Sequence, residues 1–68
     1  MFKYYMLYRG PGPGALPQRK DNLIIDIEDF GEKKFVKEVN REAWGWAEYQ
    51  HEIEVSDIYN YELVEVIK

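Results

Sequence analysis

The residues of this chain that invite chemistry are its closely spaced carboxylates and its one histidine. Asp26 and Glu28 stand two positions apart, as do Glu52 and Glu54, and His51 adjoins the second pair. On one face of an extended strand such a pair can divide acid and base roles, provided a concave site holds the two pKa values apart. The nucleophile that would complete a hydrolytic centre is missing. There is no cysteine, and the only serine, Ser56, precedes Asp57 in the pattern of a helix N-cap with an acid in the first turn. In a chain of 68 residues with short connections little cleft is expected, so these carboxylates read as a solvated sheet face and His51 as a surface side chain. An enzyme is not expected; a small hydrolase is the least favoured alternative. Without cysteine, and with a single histidine, no metal site and no cofactor are expected.

Those residues must be carried by a single domain spanning residues 1–68. A core this small leans on its aromatics, which number three Phe, two Trp and six Tyr. No apolar run approaches the roughly 18 residues of a membrane span, and no signal-peptide pattern opens the chain, so a cytoplasmic location is the default.

The first strand is expected over Phe2–Arg9, where Phe2, Tyr4, Met6 and Tyr8 alternate with Lys3, Tyr5, Leu7 and Arg9. Apolar groups on both faces place it inside the sheet. Residues 10–17 then hold three glycines and three prolines, which end any strand and begin a solvated loop over 10–22. Pro11 and Pro13 lack the N–H groups that a phosphate cradle needs, and the proline spacing misses the PxxP of proline-reading grooves.

Leu23–Phe30 reads as a second strand with Leu23, Ile25 and Ile27 facing inward. Gly31-Glu32 reads as a turn, and Lys33–Val39 as a third strand packing Phe35. Opposite charges on the two, Asp26, Glu28 and Asp29 against Lys33, Lys34 and Lys37, suit a hairpin. Ala43–Gln50 is the central seam, with Trp44 and Trp46 on one face and Ala43, Gly45 and Ala47 on the other, where something can pack closely. A helical turn over 56–60 and a last strand over Tyr61–Ile67 complete an α+β, mostly β domain. It is expected to be an antiparallel sheet of four to five strands with one short helix near residues 56–60, curled around Trp44, Trp46, Phe35, Ile25 and Ile27.

Net charge is −4, but unevenly spread. Residues 1–20 hold Lys3, Arg9, Arg19 and Lys20 and no acid; residues 42–65 hold Glu42, Glu48, Glu52, Glu54, Asp57, Glu62 and Glu65 and no Lys or Arg. Intramolecular neutralisation is the simplest use of that asymmetry. The aromatic set Tyr4, Tyr5, Tyr8, Trp44, Trp46 and Tyr49 reads first as core packing and second as a protein-binding patch; a base-stacking platform is disfavoured because acids flank the tryptophans, so direct nucleic-acid binding is not expected. The expected function is non-enzymatic binding of an unidentified protein partner through the loop and its flanks, Arg9, Pro11, Pro13, Pro17 and Arg19. The alternative is an acidic DNA mimic acting through Glu48, Glu52, Glu54, Asp57 and Glu62, whose carboxylates would compete with phosphates for a basic groove.

Three motifs, Tyr8-Arg9-Gly10-Pro11-x-Pro13-Gly14-x-x-Pro17, Arg41-Glu42-Ala43-Trp44-Gly45-Trp46-x-Glu48-Tyr49 and Tyr61-Glu62-Leu63, follow one another in an order with a known likeness. It resembles small uncharacterised domains encoded by phages, plasmids and conjugative elements of Gram-positive bacteria; Gly10 stands where that pattern often has proline. The resemblance implies no activity and no catalytic residue. It implies a setting, an accessory protein of a mobile element, where host defence and DNA-handling machinery are the usual targets.

Overall fold

A computed structural model of the protein describes residues 2–66. Among them run β1 (Phe2–Met6), β2 (Ile24–Val36), β3 (Arg41–Tyr49), α1 (Val55–Asn60) and β4 (Leu63–Glu65). The four strands form one antiparallel sheet in the order β2-β3-β1-β4. The expected architecture, a mostly-strand antiparallel sheet with one short helix, is what the chain adopts, and β1 lies inside it.

Both faces of β1 are covered, as its alternation implies. On one face Tyr4 and Met6 pack with Leu16, Ala47, Tyr49, Ile53 and Leu63. Tyr4 and Tyr49 meet edge-on with centroids 5.8 Å apart, a diagonal contact between neighbouring strands. On the other face Tyr5 packs with Val36 and Ala43, backed by Phe30, Val39, Trp46, Val64 and Val66.

The expected hairpin within 23–39 does not form. β2 is continuous through Gly31-Glu32, and both of its arms pair with β3; the register jumps from Asp29↔Gly45 to Lys34↔Ala43. Residues 30–33 therefore bulge opposite Trp44 alone. Gly31, at φ 74°, takes a backbone region open to glycine and absorbs the extra residues without reversing the strand. Reversal comes later, over Lys37–Asn40, where Asn40 at φ 54° closes the turn.

The composition of the core is corrected in the same way. Leu23, Ile25, Ile27 and Phe35 are exposed, and Trp44 and Trp46 are half-buried, whereas Ala43, Ala47 and Tyr49 are inaccessible or nearly so. The cause is Gly45. A Cβ there would lie 2.1 Å from the carbonyl oxygen of Glu28, so the backbone of β2 presses directly on the small-residue face of β3. β2 contributes main chain there, and its own side chains turn outward. The interior is filled from β1, the loop and the segment before α1.

Element ends differ too. β1 stops at Met6, leaving Tyr8 in solvent. The loop is not solvated throughout, because Ala15, Leu16 and Pro17 are buried between two exposed stretches, and Asn22 at its end is buried as well. Ser56 lies inside α1 and caps nothing; Glu54 is the N-cap residue, through its backbone carbonyl and without a side-chain bond. β4 is shorter than expected because Glu62, at φ 56°, kinks the chain just before it. Ile67, expected in that strand, lies outside the described residues.

Candidate functional site

The Gly/Pro loop returns to the sheet at Pro17, whose carbonyl accepts a hydrogen bond from the Tyr49 hydroxyl at 2.8 Å. Two residues on, Arg19 reaches α1, donating from Nε to Asp57 Oδ2 at 2.9 Å and from Nη2 to Asp57 Oδ1 at 3.0 Å. Asp57 is buried, and this bidentate grip is what allows a carboxylate to be there. The same grip raises the Arg19 guanidinium above its ordinary pKa. Asn22, also buried, bonds both His51 backbone groups at 2.8 Å, with Nδ2 donating to the carbonyl and Oδ1 accepting from the N–H. These contacts line a hollow of about 220 Å³ whose rim also carries Asp21, Glu52 and Glu54.

The tyrosines behind that hollow are held neutral. Burial pushes Tyr49 well above its ordinary value, and the charge of Asp57 adds to the effect. Burial also raises Tyr4, even though its hydroxyl accepts the Ile53 N–H at 3.0 Å, a bond that works in the opposite direction. The hollow thus holds an ion pair and the hydrogen-bonded Tyr49 hydroxyl, with Tyr4 behind it.

Of the expected contact residues, Arg19 is engaged by Asp57, and Arg9 forms an ion pair with Glu62. Pro17 is buried, and Pro11 and Pro13 stay on the outer part of the loop. The expected acidic surface is divided by the same pairs: Asp57 and Glu62 face arginines, Glu48 lies opposite Lys3 across the β1–β3 register, and Glu52 and Glu54 face solvent. Arg9 and Arg19 of the one set pair with Glu62 and Asp57 of the other, so part of the charge asymmetry is neutralised within the chain. The carboxylates of β2 are also engaged, Asp26 Oδ1 by the Ile27 N–H and Glu28 Oε1 by the Trp46 indole N–H, both at 2.9 Å.

A second concavity, open and of about 700 Å³, lies between the β1 exit and α1, lined by Leu7, Tyr8, Arg41, Val55, Ile58, Tyr59, Asn60, Glu62 and Leu63. Tyr8, Val55 and Tyr59 expose 57%, 81% and 82% of their surface around it. Of the lining residues, the sequence singles out Tyr8, in the aromatic set, and Glu62, in the acidic surface, but not Val55 and Tyr59 as a contact face. A signal was present, since Val55 and Tyr59 are spaced to share one face of a helix, but a helix of six residues is too short for periodicity to be decisive.

Among the described residues no group of three or more His, Cys, Asp or Glu is placed to hold a metal ion, and no helix is long and apolar enough to cross a membrane. The class defined by fold and surface is a small antiparallel-sheet domain whose basic and acidic segments are joined by the Arg9–Glu62 and Arg19–Asp57 ion pairs and whose apolar hollow lies beside a short helix. The chain belongs to the family described as "Defence against restriction A C-terminal", which matches residues 1–67 and is a family of mobile elements. No curated protein and no solved structure matches the chain.

Proposed function

We propose that this chain is a non-enzymatic protein-binding module that helps a mobile element of Gram-positive hosts withstand restriction, acting in the cytoplasm. The observation that carries the binding reading is the concavity of Tyr8, Val55 and Tyr59. Three large apolar side chains gather at one hollow in a chain too small to leave such surface idle, and tyrosine is among the residues that dominate binding energy at interfaces. Arg41 on the rim has no ion-pair partner among the described residues. The partner that fits is a protein segment offering an apolar side chain to the hollow and a carboxylate to Arg41. The restriction setting rests on the family.

A second reading, the acidic DNA mimic, is supported by the solvent-facing Glu52 and Glu54. It is weakened by the commitment of Asp57 and Glu62 to arginines.

The test is delivery of unmodified DNA by the element into restricting and non-restricting hosts. The variants are Tyr8→Ser/Tyr59→Ser and Glu52→Gln/Glu54→Gln, each shown by circular dichroism to be folded. Loss of protection with the tyrosine pair alone, seen only in the restricting host, is the expected result. Loss with the glutamate pair alone would instead select the mimic. Protection that survives both changes would overturn both readings.

A further inference from the structure

We propose that Glu62 is a positioning residue for the Tyr8–Tyr59 hollow, bracing the wall that carries Tyr8 against the wall formed by α1. This rests on the binding reading above and concerns how that surface keeps its shape.

α1 closes through Tyr61, and the next residue, Glu62, has φ 56°. Its N–H bonds the Tyr59 carbonyl at 3.2 Å, the pattern of a helix whose first residue past the cap is left-handed. Glycine is the usual occupant of that position, because a Cβ is strained there. Here a glutamate holds it. A costly backbone conformation kept by a large charged residue points to a use for its side chain.

Stability does not supply that use. The Glu62 carboxylate pairs with Arg9, and both side chains stand substantially in solvent, where an ion pair contributes little. The place of the pair says more. Residues 7–9 have left β1 and belong to no strand, yet Leu7 and Tyr8 line the hollow on that side. Val55, Ile58 and Tyr59 of α1 line the other.

Glu62 grips the departing segment twice. Its carbonyl accepts the Leu7 N–H at 3.3 Å, and its carboxylate takes Arg9. Tyr8 lies between the two grips and is 57% exposed, so packing does little to hold it. The residue that ends the helix therefore also sets where Tyr8 stands relative to Tyr59. A partner then meets a surface already ordered and is spared the entropy of ordering it.

Glycine at this position separates the two roles, since it relieves the backbone, keeps the carbonyl and removes the carboxylate. Glu62→Gly should hold its urea midpoint at or above the wild-type value. Its Leu7, Tyr8 and Arg9 amides should become mobile by NMR relaxation, with order parameters falling from about 0.85 to below about 0.6. Protection of unmodified DNA in the restricting host should drop as far as with Tyr8→Ser/Tyr59→Ser. Arg9→Ala should lose order and protection in the same way while leaving every carboxylate in place, which separates bracing from an acidic surface. The exchange Arg9→Glu/Glu62→Arg should restore both.

A clearly lower urea midpoint for Glu62→Gly would make the glutamate a matter of stability and overturn the proposal. Unchanged relaxation in Glu62→Gly and Arg9→Ala would do so too, as would an exchange that restores neither property. Full protection by these two variants, where the tyrosine pair loses it, would overturn the brace and leave the binding reading standing. Full protection by the tyrosine pair would remove that reading, and this proposal with it.

Discussion

Arg19 and Asp57 join the end of the Gly/Pro loop to the helix through two parallel hydrogen bonds, 2.9 and 3.0 Å long, with the carboxylate buried and the guanidinium half in water. The loop is thus a strap fastened at Pro17 by Tyr49 and at Arg19 by Asp57. Arg19→Ala should lower the urea midpoint clearly more than Arg9→Ala, because it strands a buried carboxylate, whereas Glu62 beside Arg9 can return to water. Arg19→Lys should recover only part of the loss, since an ammonium cannot reproduce the planar fork. Equal midpoints for the two alanine variants would refute the strap.

Gly45→Ala should be among the most damaging single changes. The added methyl would sit 2.1 Å from the Glu28 carbonyl oxygen and 3.3 Å from Asp29 Cα, and backbone cannot swing aside as a side chain can. Overpacking of this kind costs roughly 3 kcal/mol or more, a large fraction of what holds so small a domain together. Thermal melting checks it, and a shift of only a degree or two would mean that β2 can slide off β3.

Aromatic substitutions should rank by position in the fold rather than by size. Tyr49→Phe removes the hydroxyl that satisfies the Pro17 carbonyl in the interior and should cost about 1–3 kcal/mol. Trp44→Ala should cost well below the roughly 3–5 kcal/mol of a core aromatic, because the indole is half in solvent and belongs to neither cluster. Chemical denaturation of the two variants decides the order.

Alkali should unfold the protein before it would a domain with exposed tyrosines. Tyr4, Tyr5 and Tyr49 all have native pKa values raised above 10.0, mainly by burial. The native state keeps protons that the unfolded chain releases, so their contribution is complete below about pH 10 and declines as pH rises toward the native values. Urea midpoints from about pH 8 to about pH 11.5 should fall, and Tyr49→Phe should flatten the decline. Tyr59→Phe, altering a side chain already in solvent, should leave it unchanged.

Much of the sheet was legible in the chain because local pattern and final environment agree. The alternation around Tyr4 and Tyr5 describes a strand covered on both faces, and the small residues Ala43, Gly45 and Ala47 announce a close approach. What was illegible depended on distant neighbours. Ile25 and Ile27 have the alternation of buried residues, and only the press of β2 backbone on Gly45 turns them outward. Gly31-Glu32 has the chemistry of both a turn and a bulge, and the choice falls to pairing with β3. Ser56-Asp57 looks like a cap until Arg19, 38 residues earlier in the chain, claims the carboxylate. The charge asymmetry pointed to Arg9–Glu62 and Arg19–Asp57 in kind but could not name the pairs.

The strand order also sets when this domain can come into being. β1 is made before the other strands yet lies in the middle, waiting for partners near residues 45–49 and 63–65. As the chain emerges, Tyr4, Tyr5 and Met6 have nothing to close around until β3 follows, and the outer edge of β1 stays open until β4 does. The core around β1 is therefore completed late, by contacts distant in sequence. A chain halted or clipped before β4 loses the outer neighbour of its central strand, so such a fragment should be handled by proteases as an unfolded polypeptide rather than persist as a smaller working piece.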